Sequence, residues 1–257
     1  MSPDYKPTIS IIIPTLNESE SIGKTLTAVS QLTIPVEVIA VDGGSDDDTQ
    51  KLARSYGARV VSSERGRGAQ MHRGASVALG DVFWFLHADS VVPANAAELI
   101  RQTLTDNGVI AGNFEVHFDG KSAAARFMTW LYPQLRRLGL CYGDSAIFVR
   151  RGAYQESGGF DSLPIFEDLD LLRRLRGKGR FVHLPATVVT SARRFTGRSF
   201  ITTFIRWIAL QLLYSAGLNP RRLGRLYAPV REPVKGFKTT LAPIDPQPAD
   251  VQDDGKA

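Results

Sequence analysis

The sequence predicts an α/β protein with a mostly parallel central sheet flanked by helices. Short apolar runs rich in β-branched residues alternate with helical patterns four times between residues 8 and 89. These runs are apolar throughout, which is typical of strands that are buried on both faces of a parallel sheet. The connections between them are short, so each strand is expected to return beside its neighbours through right-handed crossovers.

The first half of the chain has the more regular pattern. Strands are predicted at residues 8–13, 36–41, 59–61 and 81–86, with helices at 18–30, 46–56 and 67–79. In such sheets, ligands bind outside the carboxyl ends of the strands. The segments that follow the strands are polar and rich in glycine, and we expect them to meet at one rim of the sheet: residues 14–18, 42–46, 62–67 and 87–89.

The second half is less regular. Strands are predicted at 110–118, 145–149 and 187–190, and helices at 123–138 and 168–176. A long apolar helix over 199–218 follows. Beyond Tyr227 the composition changes to prolines and polar residues, which predicts a flexible tail over 228–257.

Composition narrows the class of protein. The chain has 257 residues, a net charge of +5, 43% hydrophobic and 22% charged residues, as expected of a globular protein. Cys141 is the single cysteine, so no internal disulfide is expected, and the N-terminus lacks a secretory pattern; both favour the cytoplasm. No basic run is interleaved with stacking aromatics, so nucleic acid is not expected as a partner.

Several motifs, taken in order, resemble one family. They are IIIPTLNE at 11–18, VDGGSD at 41–46, RGRG at 65–68, FLHAD at 85–89, GGFD at 158–161 and EDLD at 167–170. The chain resembles an inverting glycosyltransferase of family 2 with the GT-A fold, of hexosyltransferase type. The segment TSARR at 190–194 further resembles a small bacterial branch, some members of which are associated with arsenosugar biosynthesis.

This resemblance implies a domain organisation. Residues 1–195 would form a single Rossmann-like GT-A domain, with a nucleotide-sugar-binding half at about 8–90 and an acceptor half at about 110–195. Residues 196–227 would form an apolar helical appendage, followed by the tail at 228–257. The expected ligands are a nucleotide-diphosphate-sugar donor and a hydroxyl acceptor that is either a small molecule or linked to a lipid.

The resemblance also implies which residues bind the donor. A carboxylate at Asp42 can accept from a pyrimidine N–H and one at Glu18 from a ribose hydroxyl, while the turn at 65–68 can present N–H groups and arginine to phosphate. Alternatively, residues 42–45 form only a strand-to-helix turn in which Ser45 caps a helix. The donor-binding set is Pro14, Thr15, Asn17, Glu18, Asp42, Gly43, Arg65, Gly68, His87, Ala88, Asp89, Arg193 and Arg194.

His87 and Asp89 occupy the place of the family's Asp-x-Asp metal site, with histidine replacing the first aspartate. The resemblance implies Mn²⁺ or Mg²⁺ as cofactor. One carboxylate with an imidazole suits Mn²⁺ better than Mg²⁺. His87 could instead donate to the diphosphate or simply pack at the end of its strand.

Glu167 and Asp168 match the acidic pair that supplies the catalytic base in the family. An inverting transfer needs a carboxylate to remove the proton from the acceptor hydroxyl. Asp168 is the expected base, with Glu167 positioning the base or the acceptor. Asp170 is expected to be structural, because Arg174 lies four residues further along the same predicted helix.

Two other functions stay open at this stage. A sugar-nucleotide-binding module without catalysis would explain His87, although the intact acidic pair argues against it. A sugar nucleotidyltransferase would need an arginine-rich loop after the first strand, where residues 14–18 have no arginine.

The apolar segment and the arginines that follow it, at 200–225, favour core packing, a homodimer or a peripheral membrane contact.

Overall fold

The four apolar runs of the first half form adjacent parallel strands. The structure is a computed structural model that describes residues 6–195 and 200–226. Strand β1 pairs with β2 on one side and β4 on the other, and β3 pairs with β2, all in parallel. The bounds of these strands are Ile9–Thr15 for β1, Glu37–Asp42 for β2, Arg59–Ser62 for β3 and Val82–Phe85 for β4.

The remaining strands extend this sheet to eight strands within the described residues. They are β5 (Ser90–Val91), β6 (Val109–Phe118), β7 (Phe148–Arg150) and β8 (Arg180–Thr190), and the order across the sheet is β3-β2-β1-β4-β7-β6-β8-β5. Strand β7 runs antiparallel between β4 and β6. The long β6 and β8 pair in parallel, with an irregularity where Pro185 cannot donate to the ladder.

Helices cover both faces of the sheet. They are α1 (Ile22–Ser30), α2 (Thr49–Ser55), α3 (Arg67–Val77), α4 (Ala96–Thr103), α5 (Ala123–Arg137), α6 (Arg151–Glu156) and α7 (Glu167–Leu175). Neighbouring residues of one strand serve opposite faces: Ile11 packs in the cluster that includes Leu26 of α1, whereas Ile12 packs in the cluster that includes Met71 of α3. The predicted α/β fold with a mostly parallel sheet is thereby confirmed.

The C-terminal segment packs on the domain through one side only. Helix α8 (Phe200–Ser215) and helix α9 (Pro220–Leu223) lie in the range 196–227, and the division of the chain into a domain and an appendage stays a prediction. Leu210 of α8 is buried in a cluster with Tyr142 and Phe166, and Tyr214 stacks on Phe166 with ring centroids 4.8 Å apart. Within the described ranges, no helix is long and apolar enough to cross a membrane. The predicted tail at 228–257 lies outside the described residues.

The sequence predicted most of the longer elements and missed several short ones, and it predicted only residues 187–190 of the 11-residue β8. The predicted helix at 123–138 and strand at 110–118 correspond to α5 and β6, within one residue at each end. Helices α4 and α6 and the two-residue β5 were not predicted. The predicted strand at 145–149 begins later than expected, because residues 143–145 form a 3-10 turn before β7.

Candidate active site

The loops after β1 and β2 are joined by hydrogen bonds at the carboxyl ends of these strands. The Asn17 N–H donates to Ser45 Oγ at 2.9 Å, and Asn17 Oδ1 accepts from the Asp46 N–H at 2.8 Å. Asn17 adopts a left-handed backbone conformation with φ of 52°, which asparagine tolerates better than most residues. The Glu18 N–H donates to Thr49 Oγ1 at 2.7 Å. The two loops therefore form one unit at the predicted rim.

Asp42 organises the second of these loops. Its carboxylate is buried and accepts from the N–H groups of Gly44 and Ser45, each at 2.9 Å, and from Ser45 Oγ at 2.5 Å. Gln50 Nε2 also donates to it at 2.9 Å. The turn interpretation of this segment is correct in this respect, but Ser45 connects Asp42 to Asn17 rather than capping a helix. Contact between Asp42 and a nucleobase stays a prediction.

Side chains of helix α3 and of the residues just before it hydrogen-bond to the same two loops. The buried Gln70 Nε2 donates to the carbonyl oxygens of Thr15 and Val41, each at 2.8 Å. Arg65 donates to the carbonyls of Gly43 and Gly44, each at 3.2 Å. Sequence reasoning did not single out Gln70. Its amide side chain is distinguished only by being buried, which the structure shows. Arg65 therefore holds the glycine turn, whereas its expected contact with phosphate stays a prediction.

Arg193 connects the beginning and the end of the domain. Its guanidinium donates to Glu18 Oε2 at 2.5 Å and to Ser21 Oγ at 3.2 Å, and it lies 3.2 Å from Asp89 Oδ2. Burial raises the pKa of Asp89 above its ordinary value, while electrostatic interactions with His87 and Arg193 oppose this change. Three residues that the sequence placed in the donor site are thus in direct contact. The side chain of Arg194 lies outside what the structure describes.

His87 lies between the end of β4 and the segment before β7. Its Nδ1 is 3.1 Å from Asp144 Oδ1, and the Tyr132 hydroxyl donates to Asp144 Oδ2 at 2.8 Å. In the described part of the chain, the buried His87 Nε2 has no hydrogen-bond partner. A Cβ at Gly143 would lie 3.0 Å from this nitrogen and 3.5 Å from Asp168 Oδ2, so all three groups share one small space. Sequence reasoning missed Asp144; an acid after a glycine, shortly before a strand, was its signal.

Asp168 is a buried carboxylate at the start of α7. Its Oδ2 accepts from the Gly143 N–H at 2.6 Å, and its Oδ1 accepts from the Leu169 N–H at 2.8 Å. Burial, followed by the negative charge of Glu167, raises the pKa of Asp168 to about 6, although Arg67 and both hydrogen bonds oppose the increase. A carboxyl with this pKa is mostly ionised at neutral pH and is a stronger base than an ordinary aspartate.

Glu167 is paired with an arginine that is not in the expected donor-binding set. It is 2% exposed and forms an ion pair with Arg67. The two residues are brought together because α3 and α7 approach closely at Gly68. A Cβ on Gly68 would lie 2.3 Å from the carbonyl oxygen of Asp161, so only glycine fits this contact.

Asp170 makes the contact with Arg174 that its spacing predicts. Its carboxylate accepts from Arg173 Nη2 and from Arg174 Nε, each at 2.9 Å. Arg174 in turn donates to the Ser157 carbonyl oxygen at 2.5 Å. This carboxylate is therefore fully engaged with the arginines of its own helix, away from the contacts of Asp168.

Few side chains near the site could ligate a divalent ion. No group of three or more His, Cys, Asp and Glu side chains suited to a metal occurs in the described ranges. The groups at hand are the Asp89 carboxylate and the unpartnered His87 Nε2. Such a pair would need oxygen ligands from a bound diphosphate to complete the coordination of Mg²⁺ or Mn²⁺.

Sequence comparison matches more than half of the chain to a known family. A family model described as "Glycosyl transferase family 2" matches residues 10–155, which is more than half of the chain. Glycosyltransferase AglE of Haloferax volcanii is 29% identical over 171 residues, 60% of this chain and 56% of that protein. The chain thus spans little more than half the length of this relative, and about a third of the length of two mycobacterial glucosyl-3-phosphoglycerate synthases that it also matches.

Comparison with solved structures gives the same fold. Mannosyltransferase PcManGT of Pyrobaculum calidifontis, in complex with GDP-Man and Mn²⁺, has a TM-score of 0.63 and 20% identity, over 87% of this chain and 69% of that one. Glucosyl-3-phosphoglycerate synthase of Mycobacterium tuberculosis, in complex with Mn²⁺, UDP and glucosyl-3-phosphoglycerate, has a TM-score of 0.57 and 22% identity, over 83% and 81%. At these identities the likeness establishes the fold.

Proposed function

The chain belongs to glycosyl transferase family 2, and from this premise we propose that it is an inverting glycosyltransferase with a nucleotide-sugar donor and a hydroxyl acceptor. The observation that supports the proposal most directly is the buried Asp168, whose pKa is raised to about 6 at the rim where the strand-end loops meet. A carboxyl with a perturbed pKa in such a position is what an inverting transfer requires of its base.

The donor would bind across the loops after β1 and β2. Asn17 donates to Ser45 and accepts from the Asp46 N–H, and these two hydrogen bonds hold the loops in a fixed arrangement before any ligand arrives. Glu18, 16% exposed, keeps its carboxylate within reach of a ribose hydroxyl. The related structures were solved with UDP or GDP-Man, so a nucleoside diphosphate sugar is the class of donor that we propose.

Asp168 would act on the acceptor. As the acceptor oxygen attacks the anomeric carbon, the new C–O bond forms on the face opposite to the departing nucleoside diphosphate, and the hydroxyl proton passes to an Asp168 oxygen. The N–H groups of Gly143 and Leu169 fix the orientation of this carboxylate. Glu167, paired with Arg67, would keep Asp168 basic through its negative charge.

Charge on the departing diphosphate would be met by two kinds of group. Arg193 already lies against Asp89 and Glu18, and a modest movement would bring its guanidinium onto phosphate oxygens, with Arg194 as its predicted partner. Asp89 and His87 would hold Mn²⁺ or Mg²⁺ together with the donor. When bound there, the ion supplies Lewis-acid stabilisation of the developing negative charge.

The proposal is tested in two steps. Nucleoside diphosphates and their sugars are first screened with Mn²⁺ by thermal shift; a ligand at a hundredfold excess over its Kd should stabilise the fold by about 2.7 kcal/mol. The best donor sugar is then incubated with the protein, and release of nucleoside diphosphate is followed. We expect slow hydrolysis that Asp168→Asn suppresses while binding persists.

Two outcomes would contradict this function. Donor binding without any hydrolysis or transfer by the wild type, under all metal conditions, would support a binding module that has lost catalysis. Formation of a nucleotide sugar from a nucleoside triphosphate and a sugar phosphate, with release of pyrophosphate, would support a nucleotidyltransferase. Exposed Arg73→Gln on α3 is a matched control that should change none of these results.

A further inference from the structure

Helix α8 exposes a continuous apolar stripe on the side that faces away from the domain. Ile201 is 67% exposed, Ile205 61%, Ile208 37% and Leu212 65%. Their spacing of four, three and four residues places all four side chains on one face of the helix. The opposite side contains Leu210, which is 3% exposed. Both of these sides of the helix are therefore apolar, and only the side with Leu210 packs against the rest of the described structure.

Helix α5 continues this apolar surface. Phe127, 37% exposed, contacts Phe204 of α8 with ring centroids 5.3 Å apart, and it also lies 5.9 Å from the ring of Trp130. Trp130 is 62% exposed. Large exposed aromatic and aliphatic side chains that adjoin each other mark an interaction surface rather than ordinary surface variation. We name this surface the α5–α8 face and define it by Phe127, Trp130, Ile201, Ile205, Ile208 and Leu212.

The two segments that form the α5–α8 face contain charges of one sign only. Residues 120–140 and 200–226 each contain four lysines or arginines and no aspartate or glutamate, although the chain as a whole has 26 acids against 31 bases. Seven of these cations are exposed, and the eighth, Arg136, pairs with Glu115. The exposed ones are Lys121, Arg126, Arg137, Arg206, Arg221, Arg222 and Arg225. An apolar surface surrounded by positive charges is complementary to a partner with an apolar interior beneath a negatively charged surface layer.

We propose that the α5–α8 face docks on an anionic lipid bilayer, with α8 lying in the plane of the membrane. Its apolar stripe would enter the boundary between headgroups and acyl chains, and the surrounding cations would contact acidic headgroups. A spanning arrangement is excluded for α8, because its 16 residues extend about 24 Å against about 30 Å of hydrocarbon. Arg206 also lies within the helix.

A second copy of the chain fits this face less well. In a two-fold symmetric dimer, the same patch meets itself, so the exposed arginines would approach one another without any acid from 120–140 or 200–226 to compensate them. Like charges placed opposite each other at an interface oppose association. Negative headgroups remove this conflict.

Helix α8 also contacts the segment that leads into the candidate active site. The Tyr142 hydroxyl donates to Gln211 Oε1 at 2.9 Å, and the next residue, Gly143, donates its N–H to Asp168. Docking would therefore bring the acceptor side of the site towards the headgroup layer, where a lipid-linked hydroxyl is presented. This consequence rests on the proposed function, whereas the docking itself does not.

Vesicle sedimentation tests the docking without any enzyme assay. The full chain is mixed with vesicles of phosphatidylcholine, with and without phosphatidylserine, at low and high salt. We expect sedimentation with phosphatidylserine vesicles that salt weakens. The double variant Ile205→Glu with Leu212→Glu should bind the vesicles at least about tenfold more weakly, because charged side chains cannot enter the acyl boundary. Replacing Arg221, Arg222 and Arg225 by Gln should weaken binding by about fivefold for each residue.

The matched control is Leu79→Glu, a residue that is 78% exposed in the connection before β4, far along the chain from both helices. All substituted side chains are exposed, so each variant should fold, as circular dichroism can verify. Absence of vesicle binding, equal binding to both vesicle types, or unchanged binding of the Ile205 and Leu212 double variant would each overturn the proposal. A dimer that this variant dissociates, without vesicle binding by the wild type, would assign the face to a second copy and equally overturn it.

Discussion

Asp168→Asn and Asp170→Asn should have opposite effects on activity and stability, although the two residues lie on the same helical turn. The magnitude for Asp168 follows from its pKa, which burial and Glu167 raise from 3.8 to about 6. A carboxyl whose pKa is raised on folding destabilises the folded state when it is ionised. Above the folded pKa this contribution amounts to about 3 kcal/mol, and it disappears as the pH falls from about 6 towards 3.8.

Asparagine at 168 removes this destabilisation but also weakens one of two hydrogen bonds. The N–H groups of Gly143 and Leu169 both donate to the carboxylate, and an amide offers only one oxygen to them. An unsatisfied buried donor costs about 1–3 kcal/mol. At neutral pH we therefore expect the free energy of unfolding to stay equal or rise by up to about 2 kcal/mol. Turnover should fall by about 10²–10⁴-fold, because the proton acceptor is lost.

Asp170→Asn should reverse this pattern. Its carboxylate is 8% exposed and accepts from both Arg173 and Arg174, so the amide leaves charged donors without their partner. The expected loss of stability is about 1–3 kcal/mol. This exceeds the value of about 0.2–0.5 kcal/mol for an exposed i,i+4 pair, because the carboxylate is buried. Turnover per folded molecule should be unchanged.

Urea unfolding followed by circular dichroism measures the stability of both variants, and kcat for transfer is compared at matched folded fraction. The donor KM should change little in Asp168→Asn, since the donor contacts lie on other strands. If Asp170→Asn abolishes turnover while Asp168→Asn is nearly silent, the assignment of the base is wrong. If Asp168→Asn destabilises the protein more than Asp170→Asn does, the pKa argument fails.

Three further predictions concern pH, metal and packing. Turnover should fall about tenfold per pH unit below a pH of about 6, as Asp168 becomes protonated, and a flat pH profile in this range would contradict its role. Asp89→Asn should weaken donor binding in Mn²⁺, measured by calorimetry, but leave metal-free binding unchanged; a wild type that binds donor equally with and without metal would exclude the metal site. Gly68→Ala should lower stability by about 1–3 kcal/mol in thermal melts, since its Cβ would lie 2.3 Å from the Asp161 carbonyl oxygen. Gly152→Ala, which meets nothing within 4 Å, is the control and should be neutral or stabilising.

The fold was largely predictable because its determinants are local. The runs that became β1, β2 and β4 are largely apolar, and a strand with both faces covered buries most of such a run. The position of β7 was not predictable in the same way. Its antiparallel pairing between β4 and β6 joins segments more than thirty residues apart, and no local period encodes such a choice.

The candidate site divides along the same line. By itself, the sequence determined which residues end at the rim, since polar and glycine-rich segments directly follow buried strands and the carboxyl ends of parallel strands lie together. Only the tertiary structure decided which side chains touch. It placed Asp144 against His87, Arg67 against Glu167, and Arg193 between Glu18 and Asp89. These contacts join residues from 57 to 175 positions apart in the sequence. Hydrogen bonds and ion pairs act over a few ångströms, so they exist only after the sheet order and the packing of its helices have brought those residues together.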